Sequence, residues 1–245
     1  MRVWQGKRYW LVGASEGLGL SLARKINAAG AEVILSARSA EGLEKALATM
    51  PGRASAEAVD VADMDAVRAA AERIGPVDGV VFLAGVYWPM RAQDWDAEKV
   101  VAMCDVNFTG CARVIGAVLP EMVKKGTGHV VITGSLSGFR GLPGAIGYAA
   151  SKSGVMALAE SLYADLRGSG IDVQVANPGF IRTRLTDKND FSMPFLMEPD
   201  DAARHMFELM QTDRFKSSFP RAFSLLFRLS QFLPDWAYYR MFAPK

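Results

Sequence analysis

The feature that most constrains this sequence is a series of short β-branched or apolar runs, each followed by a longer segment of helical character. Runs near residues 8–12, 32–36, 56–59, 79–83, 129–133 and 172–176 are predicted strands, and the alanine, leucine and charged positions between them suit amphipathic crossover helices. Strands joined by helices pair in parallel and are covered on both faces, so they read as continuous apolar runs. The series predicts an α/β fold: a doubly wound, Rossmann-type sheet of six to seven mainly parallel strands with helices on both faces. In such a sheet ligands bind in the crevice at the carboxyl ends of the strands, so the residues just after each run are the functional candidates.

Half of the 245 residues are apolar and the net charge is +2, enough to build one domain over residues 1–245 without disulfides or metals. Cys104 and Cys111 are seven residues apart, about two turns of one helix, too far for a bridge. That spacing fits a reducing compartment, and a cytoplasmic location is expected. The basic residues Arg2, Lys7 and Arg8 precede an apolar run far too short for a signal peptide, and no stretch is expected to span a membrane. His129 and His205 form no metal-ligand spacing, and there is no basic excess demanding nucleic acid.

Directly after the first run comes Gly13-Ala14-Ser15-Glu16-Gly17-Leu18-Gly19, followed by a predicted helix over 20–29 that ends at Gly30. Glycine there permits positive φ and lets a pyrophosphate approach backbone N–H groups at a helix N-terminus. At the end of the second run stands Ser36-Ala37-Arg38-Ser39. An acid at this point would bind the ribose 2′-hydroxyl of NAD, whereas Arg38 can pair with the 2′-phosphate of NADP, so NADP(H) is expected in preference to NAD(H). Glu16 has the wrong charge to help. Asp60, after the third run, could accept from the adenine amino group or cap a helix, with Asp63 competing for the cap.

Tyr148-Ala149-Ala150-Ser151-Lys152 opens an alanine-rich helical stretch, so Tyr148 and Lys152 share one face about 6 Å apart in rise. A free phenol titrates near pH ~10, but an ammonium at ~6 Å in an effective dielectric of ~20 favours the phenolate by roughly 3 kcal/mol. The pair is therefore expected to lower the Tyr148 pKa by about two units, and the positive nicotinamide ring of the oxidised cofactor to lower it further, into the useful range for acid–base catalysis.

The glycine loop, Tyr148-x-x-x-Lys152 and Ser135, thirteen residues before the tyrosine, together resemble the short-chain dehydrogenase/reductase family, from about residue 7 to residue 183. The resemblance implies that Ser135 polarises the substrate carbonyl, Tyr148 transfers the proton and Lys152 also holds the nicotinamide ribose. Ser137 is a competing hydroxyl, but only Ser135 falls at the family's spacing. Asn107, in Asp105-Val106-Asn107-Phe108-Thr109-Gly110, matches the asparagine that keeps a water in the proton relay. Asn177-Pro178-Gly179-Phe180-Ile181-Arg182-Thr183 is similar to the family's Pro-Gly segment, which implies Pro178, Gly179, the Ile181 backbone and the Thr183 hydroxyl around the nicotinamide carboxamide. The same resemblance adds Ser15, Leu18, Val61, Ala84 and Gly85 to the cofactor-binding set. Val12 and Phe82-Leu83-Ala84-Gly85 depart from the frequent threonine and Asn-Asn-Ala-Gly, removing a hydrogen bond between central strands. A Val-Asp-Gly-Gly ending is also absent, which puts the family's C-terminal strand in doubt.

Function is thus expected to be hydride transfer between NADP(H) and an apolar carbonyl or alcohol. A catalytically silent redox sensor could use the same fold, but would need no acid–base tyrosine. Sugar epimerase or dehydratase chemistry usually goes with a larger substrate domain. Residues 184–199, with Phe191, Met193, Phe195, Leu196 and Met197, are a candidate substrate lid, and Trp88 and Pro89 a candidate opposite wall. Residues 214–245 mix Arg221, Arg228 and Arg240 with aromatic residues, and Phe219, Phe223 and Phe227 are expected on one helical face. This tail is open to three uses: packing beside the site, forming a homodimer or homotetramer, or resting on a membrane surface.

Overall fold

Strand β1 (Arg8–Val12) shows why the sheet is buried on both faces. Successive side chains alternate between two layers: Tyr9 and Leu11 pack with Leu22, Ile26, Met206 and Leu209, while Trp10 and Val12 pack with Val80, Phe82, Val114 and Val130. The computed structural model describes residues 2–189 and 191–243. Met1, Asp190, Pro244 and Lys245, which fall within the domain, lid and tail expectations, lie outside the described residues.

In chain order β1 is followed by α1 (Gly17–Ala28), β2 (Glu32–Ala37), α2 (Ala40–Leu47), β3 (Ala54–Ala58), α3 (Met64–Ile74) and β4 (Gly79–Phe82). Then come α4 (Ala97–Cys104), α5 (Gly110–Lys125), β5 (Gly128–Thr133), α6 (Ile146–Asp165), β6 (Ile171–Pro178), α7 (Pro199–Met210), β7 (Lys216–Phe219), α8 (Arg221–Ser230) and α9 (Asp235–Phe242). The strands pair in parallel in the order β3-β2-β1-β4-β5-β6-β7. The order reverses between β1 and β4, which puts the crevice at Gly13 and Ala84. Gly13 has φ +93°, and a Cβ there would lie 2.4 Å from the Ala84 nitrogen, so only glycine lets the two strand ends meet.

All six predicted strands form, with ends shifted by at most two residues. The doubted C-terminal strand also forms, as β7 beside β6. Consequently Phe219 lies on a strand, and only Phe223 and Phe227 share the helical face expected for all three. The hydrogen bond missing at Val12 and Phe82 is offset laterally: Trp10 Nε1 donates to Ser36 Oγ at 2.8 Å, and Ser36 Oγ donates to the Glu57 carbonyl at 2.7 Å, linking β1, β2 and β3.

Contrary to expectation, one helix is long and apolar enough to cross a bilayer: Ala97–Lys125, 29 residues, is continuous through a wide π turn at Asp105–Thr109. Met103, Cys111, Val114, Ile115, Val118 and Met122 on it are buried within the domain, whereas Val101, Phe108 and Val123 are exposed. Cys104 and Cys111 are both free thiols.

Candidate active site

The carboxyl ends of the strands open into a cleft of about 850 Å³, within the ~300–1,000 Å³ range of small-molecule sites. Gly13, Ser15, Gly17, Leu18 and Gly19 form one wall; Arg38, Asp60 and Val61 the next; Ala84 and Gly85 the floor; Ser135, Tyr148 and Lys152 the far side; Pro178, Gly179, Ile181 and Thr183 the rim. Asn107 alone among the predicted site residues does not line it. A smaller cavity of about 360 Å³ lies elsewhere, against Tyr163, Asp172 and Thr212, and contains none of them.

The helix α1 N-terminus reaches this cleft without a side-chain cap, since Glu16 makes no capping hydrogen bond. Its first-turn N–H groups are therefore available to an anion. Gly17 has φ +53°, and a Cβ there would sit 3.1 Å from Thr183 Cγ2, narrowing the gap between the glycine loop and the segment after β6. These features fit the pyrophosphate of a dinucleotide. The charge of Glu16 is answered by Arg184, whose Nε donates to Glu16 Oε1 at 2.5 Å. Arg38 is exposed at the cleft edge and forms no ion pair among the described residues. Asp63, not Asp60, caps α3; Asp60 Oδ1 accepts from the Ala62 N–H at 3.0 Å, and the residue lines the cleft.

Tyr148 lies in the first turn of α6, where Ser135 is close enough to its phenol to favour the anion. Ser135 Oγ in turn accepts from Ser137 Oγ at 2.9 Å and from the Ser137 N–H at 3.2 Å, so the competing serine stands behind Ser135 and supports it. Lys152 Nζ donates to the Thr133 carbonyl at 2.8 Å and sits 5.8 Å from the centre of the Tyr148 ring. The expected pKa lowering does not appear. Burial pushes the Tyr148 phenol up to about 12, against the opposing influence of Ser135, and pushes Lys152 down to about 8. Spacing along a helix suggests an attraction within the pair but carries nothing of the cost of taking each group from water, which is the largest influence on both.

Asn107 is fully buried in the π turn. Its Oδ1 accepts from the Val86 N–H at 2.7 Å, and its Nδ2 donates to the Val86 carbonyl and to Ser151 Oγ, both at 3.0 Å. Ser151 Oγ donates to the Tyr148 carbonyl at 2.8 Å. Asn107 thus ties the loop after β4 to the helix bearing Tyr148. Tyr87, which no motif singles out, sets its ring edge against Tyr148 with centroids 5.0 Å apart.

The segment after β6 is pinned at its base by the Ile181–Met197 bridge and by Arg182 N–H donating to the Met197 carbonyl at 2.9 Å. It crosses the cleft to the expected opposite wall, where Lys188 Nζ donates to the Tyr87 carbonyl at 2.8 Å and lies 4.6 Å from the Trp88 ring. Beside the mouth, Phe180 packs on Phe191 and Phe223, and Phe223 also on Phe195.

A glycine-lined anion cradle facing a buried serine, a half-buried tyrosine and a buried lysine at a strand-order reversal defines a dinucleotide-dependent oxidoreductase site. The chain belongs to the short chain dehydrogenase family, whose model matches residues 7–192. It is 38% identical over 236 residues to an uncharacterized oxidoreductase from Myxococcus xanthus, covering 92% of each chain. It is also 32% identical over 196 residues to the 3-oxoacyl-(acyl-carrier-protein) reductase of Thermotoga maritima, covering 75% of this chain and 78% of the other. The solved structure of a single-substitution variant of actinorhodin polyketide ketoreductase with NADPH superposes with a TM-score of 0.77 at 28% identity, covering 86% of this chain and 92% of that one.

Proposed function

We propose that this oxidoreductase is an NADP(H)-dependent carbonyl reductase or alcohol dehydrogenase for apolar substrates, with Tyr148 as general acid and base. The observation that carries the reading is the gathering of Ser135 and Tyr148 on the lining of the cleft, with the Lys152 ammonium fixed one helical turn behind. When bound, the nicotinamide supplies or accepts the hydride. Ser135 is positioned to donate to the substrate oxygen. Tyr148, protonated at neutral pH, holds the proton that a reduced carbonyl oxygen must take up. Lys152 places a positive charge behind the phenol and favours its return to the anion when an alcohol is oxidised.

NADP(H) is favoured by Arg38, unpaired among the described residues, and by the absence of an acid at the end of β2. The NADPH-bound ketoreductase supports the same choice. The aromatic cluster of Phe180, Phe191 and Phe223 supports an apolar substrate, and the pinned segment 184–199 acts in this reading as its lid. A panel of aliphatic and aromatic ketones and aldehydes, followed with NADPH and NADH, tests the proposal. Arg38→Ala should raise KM for NADPH roughly 10- to 100-fold through loss of a charge-assisted contact and leave KM for NADH unchanged. Equal effects on both cofactors would reject the role of Arg38.

A further inference from the structure

Helix α8 has two apolar faces. One buries Phe223 and Phe227, a turn apart, against Leu136 and Phe180 beside the cleft. The other leaves Leu225, Leu226 and Leu229 exposed, and the exposed series continues through Phe232, Trp236, Tyr239 and Met241. Phe232 is 84% exposed and Trp236 74%. Leu225, Leu229 and Phe232 keep the i, i+4, i+7 spacing of one helical stripe, extended just past the helix end. Single exposed apolar residues are ordinary, but a run of this size marks an interaction surface.

This surface is not a frayed end. Arg140 donates to the carbonyls of Ser230 and Leu233, each at 2.8 Å, pairs with Asp235, and stacks 4.0 Å from the Tyr238 ring centre. Tyr238 O–H donates to the Gly141 carbonyl at 2.8 Å.

The charge around the stripe has one sign. Between Arg214 and Ala243 stand Arg214, Lys216, Arg221, Arg228 and Arg240 against a single acid, Asp235, which Arg140 already pairs. Arg221, Arg228 and Arg240 are exposed and pair with no carboxylate among the described residues. A fixed apolar stripe flanked by such arginines, with tryptophan and tyrosine at its end, has the composition of a segment lying in the interface of an anionic bilayer. A second copy is a poorer occupant. A two-fold contact through this face would set the cations of one protomer against the same cations of its partner.

We propose that α8 and α9 dock the enzyme on an anionic lipid bilayer, with the leucine and aromatic side chains in the acyl boundary and the arginines among the head groups. The docked face is the back of the helix that packs beside the cleft, so the cleft mouth is held close to the lipid. Co-sedimentation of the full chain with phosphatidylglycerol-containing and with pure phosphatidylcholine vesicles tests this. Binding is expected to the anionic vesicles and to weaken with salt. Phe232→Glu and Trp236→Glu, both at exposed positions, should each reduce it at least roughly tenfold through lost apolar burial. Arg221→Gln and Arg228→Gln should each reduce it roughly fivefold, with thermal melting unchanged in all four. Wild-type protein that stays in the supernatant with anionic vesicles overturns the proposal. So does a concentration-dependent dimer that Phe232→Glu dissociates in sedimentation velocity without any lipid binding, because the face would then belong to a second copy.

Discussion

A tyrosine beside a buried base occurs at both ends of this sheet, fully buried at one end and half-buried at the other. At the amino end Tyr9 O–H donates to His129 Nδ1 at 3.0 Å, and His129 Nε2–H donates to Gln174 Oε1 at 3.0 Å. Gln174 Nε2 faces the carbonyls of Leu209, Thr212 and Arg214. At the carboxyl end Tyr148 meets Ser135, and Lys152 meets the Thr133 carbonyl. Burial drives both pairs the same way: each phenol rises to about 12, while His129 falls to about 3 and Lys152 to about 8.

Access separates them. The amino-end chain is sealed so tightly that a Cβ at Gly79 would lie 2.2 Å from the Tyr9 ring. The carboxyl-end pair lines an open cleft, where the buried Thr133 Oγ1 lacks a protein partner. A displaced pKa is therefore a consequence of burial wherever it occurs. Chemistry requires in addition a place for a reacting atom.

The sharpest way to break this comparison is to remove each phenol hydroxyl. Tyr148→Phe should lower kcat/KM by roughly 10²- to 10⁴-fold with little change in melting temperature. Tyr9→Phe should leave turnover intact and lower stability by about 1–3 kcal/mol, because His129 Nδ1 loses its donor in a sealed site. Equal loss of activity in both variants would erase the distinction.

A smaller effect concerns the carboxyl-end lysine. With its pKa near 8, Lys152 is charged below that pH and neutral above it. In the carbonyl-reducing direction kcat/KM should fall about tenfold per unit as pH rises beyond about 8, and Lys152→Met should flatten that limb at a low plateau. A wild-type profile level up to pH ~10 would contradict the assigned role.

The amino end should instead respond to acid, and only through stability. Between the unfolded value of 6.5 and the folded value of about 3, the unfolded chain carries one more proton on His129 than the folded chain. Stability therefore falls as pH falls, by about 2 kcal/mol between pH ~6.5 and ~5. Urea unfolding at several pH values should show this slope in the wild type and its loss in His129→Gln. A slope that survives the substitution would assign acid sensitivity to other groups.

The distinction also explains what is legible before any coordinates. The strands and the Gly13–Gly19 turn rest on side-chain alternation and backbone freedom, which are local, and they appear where expected. The spacing from Tyr148 to Lys152 and from Ser135 to Tyr148 brings those three residues to one cleft wall. Lys216-Ser217-Ser218-Phe219 has no comparable signal because it is short and largely polar, with only Phe219 fully buried, so its pairing with β6 is decided by tertiary contacts. The proton affinities of Tyr148 and Lys152 depart from expectation for a related reason, since desolvation depends on neighbours distant in sequence. Tyr87 carries no local signature at all. Its place against Tyr148 follows from the path of the loop that Asn107 holds at Val86.

The π turn at Asp105–Thr109 also acts on the geometry of the whole rod from Ala97 to Lys125. Met103 and Met122, both fully buried, are nineteen residues apart, and regular winding would leave them about 100° out of phase. One surplus residue absorbed in a single wide turn cancels that drift. Met103 and Met122 thus come onto one inward face, with the buried Asn107 between them where the winding changes.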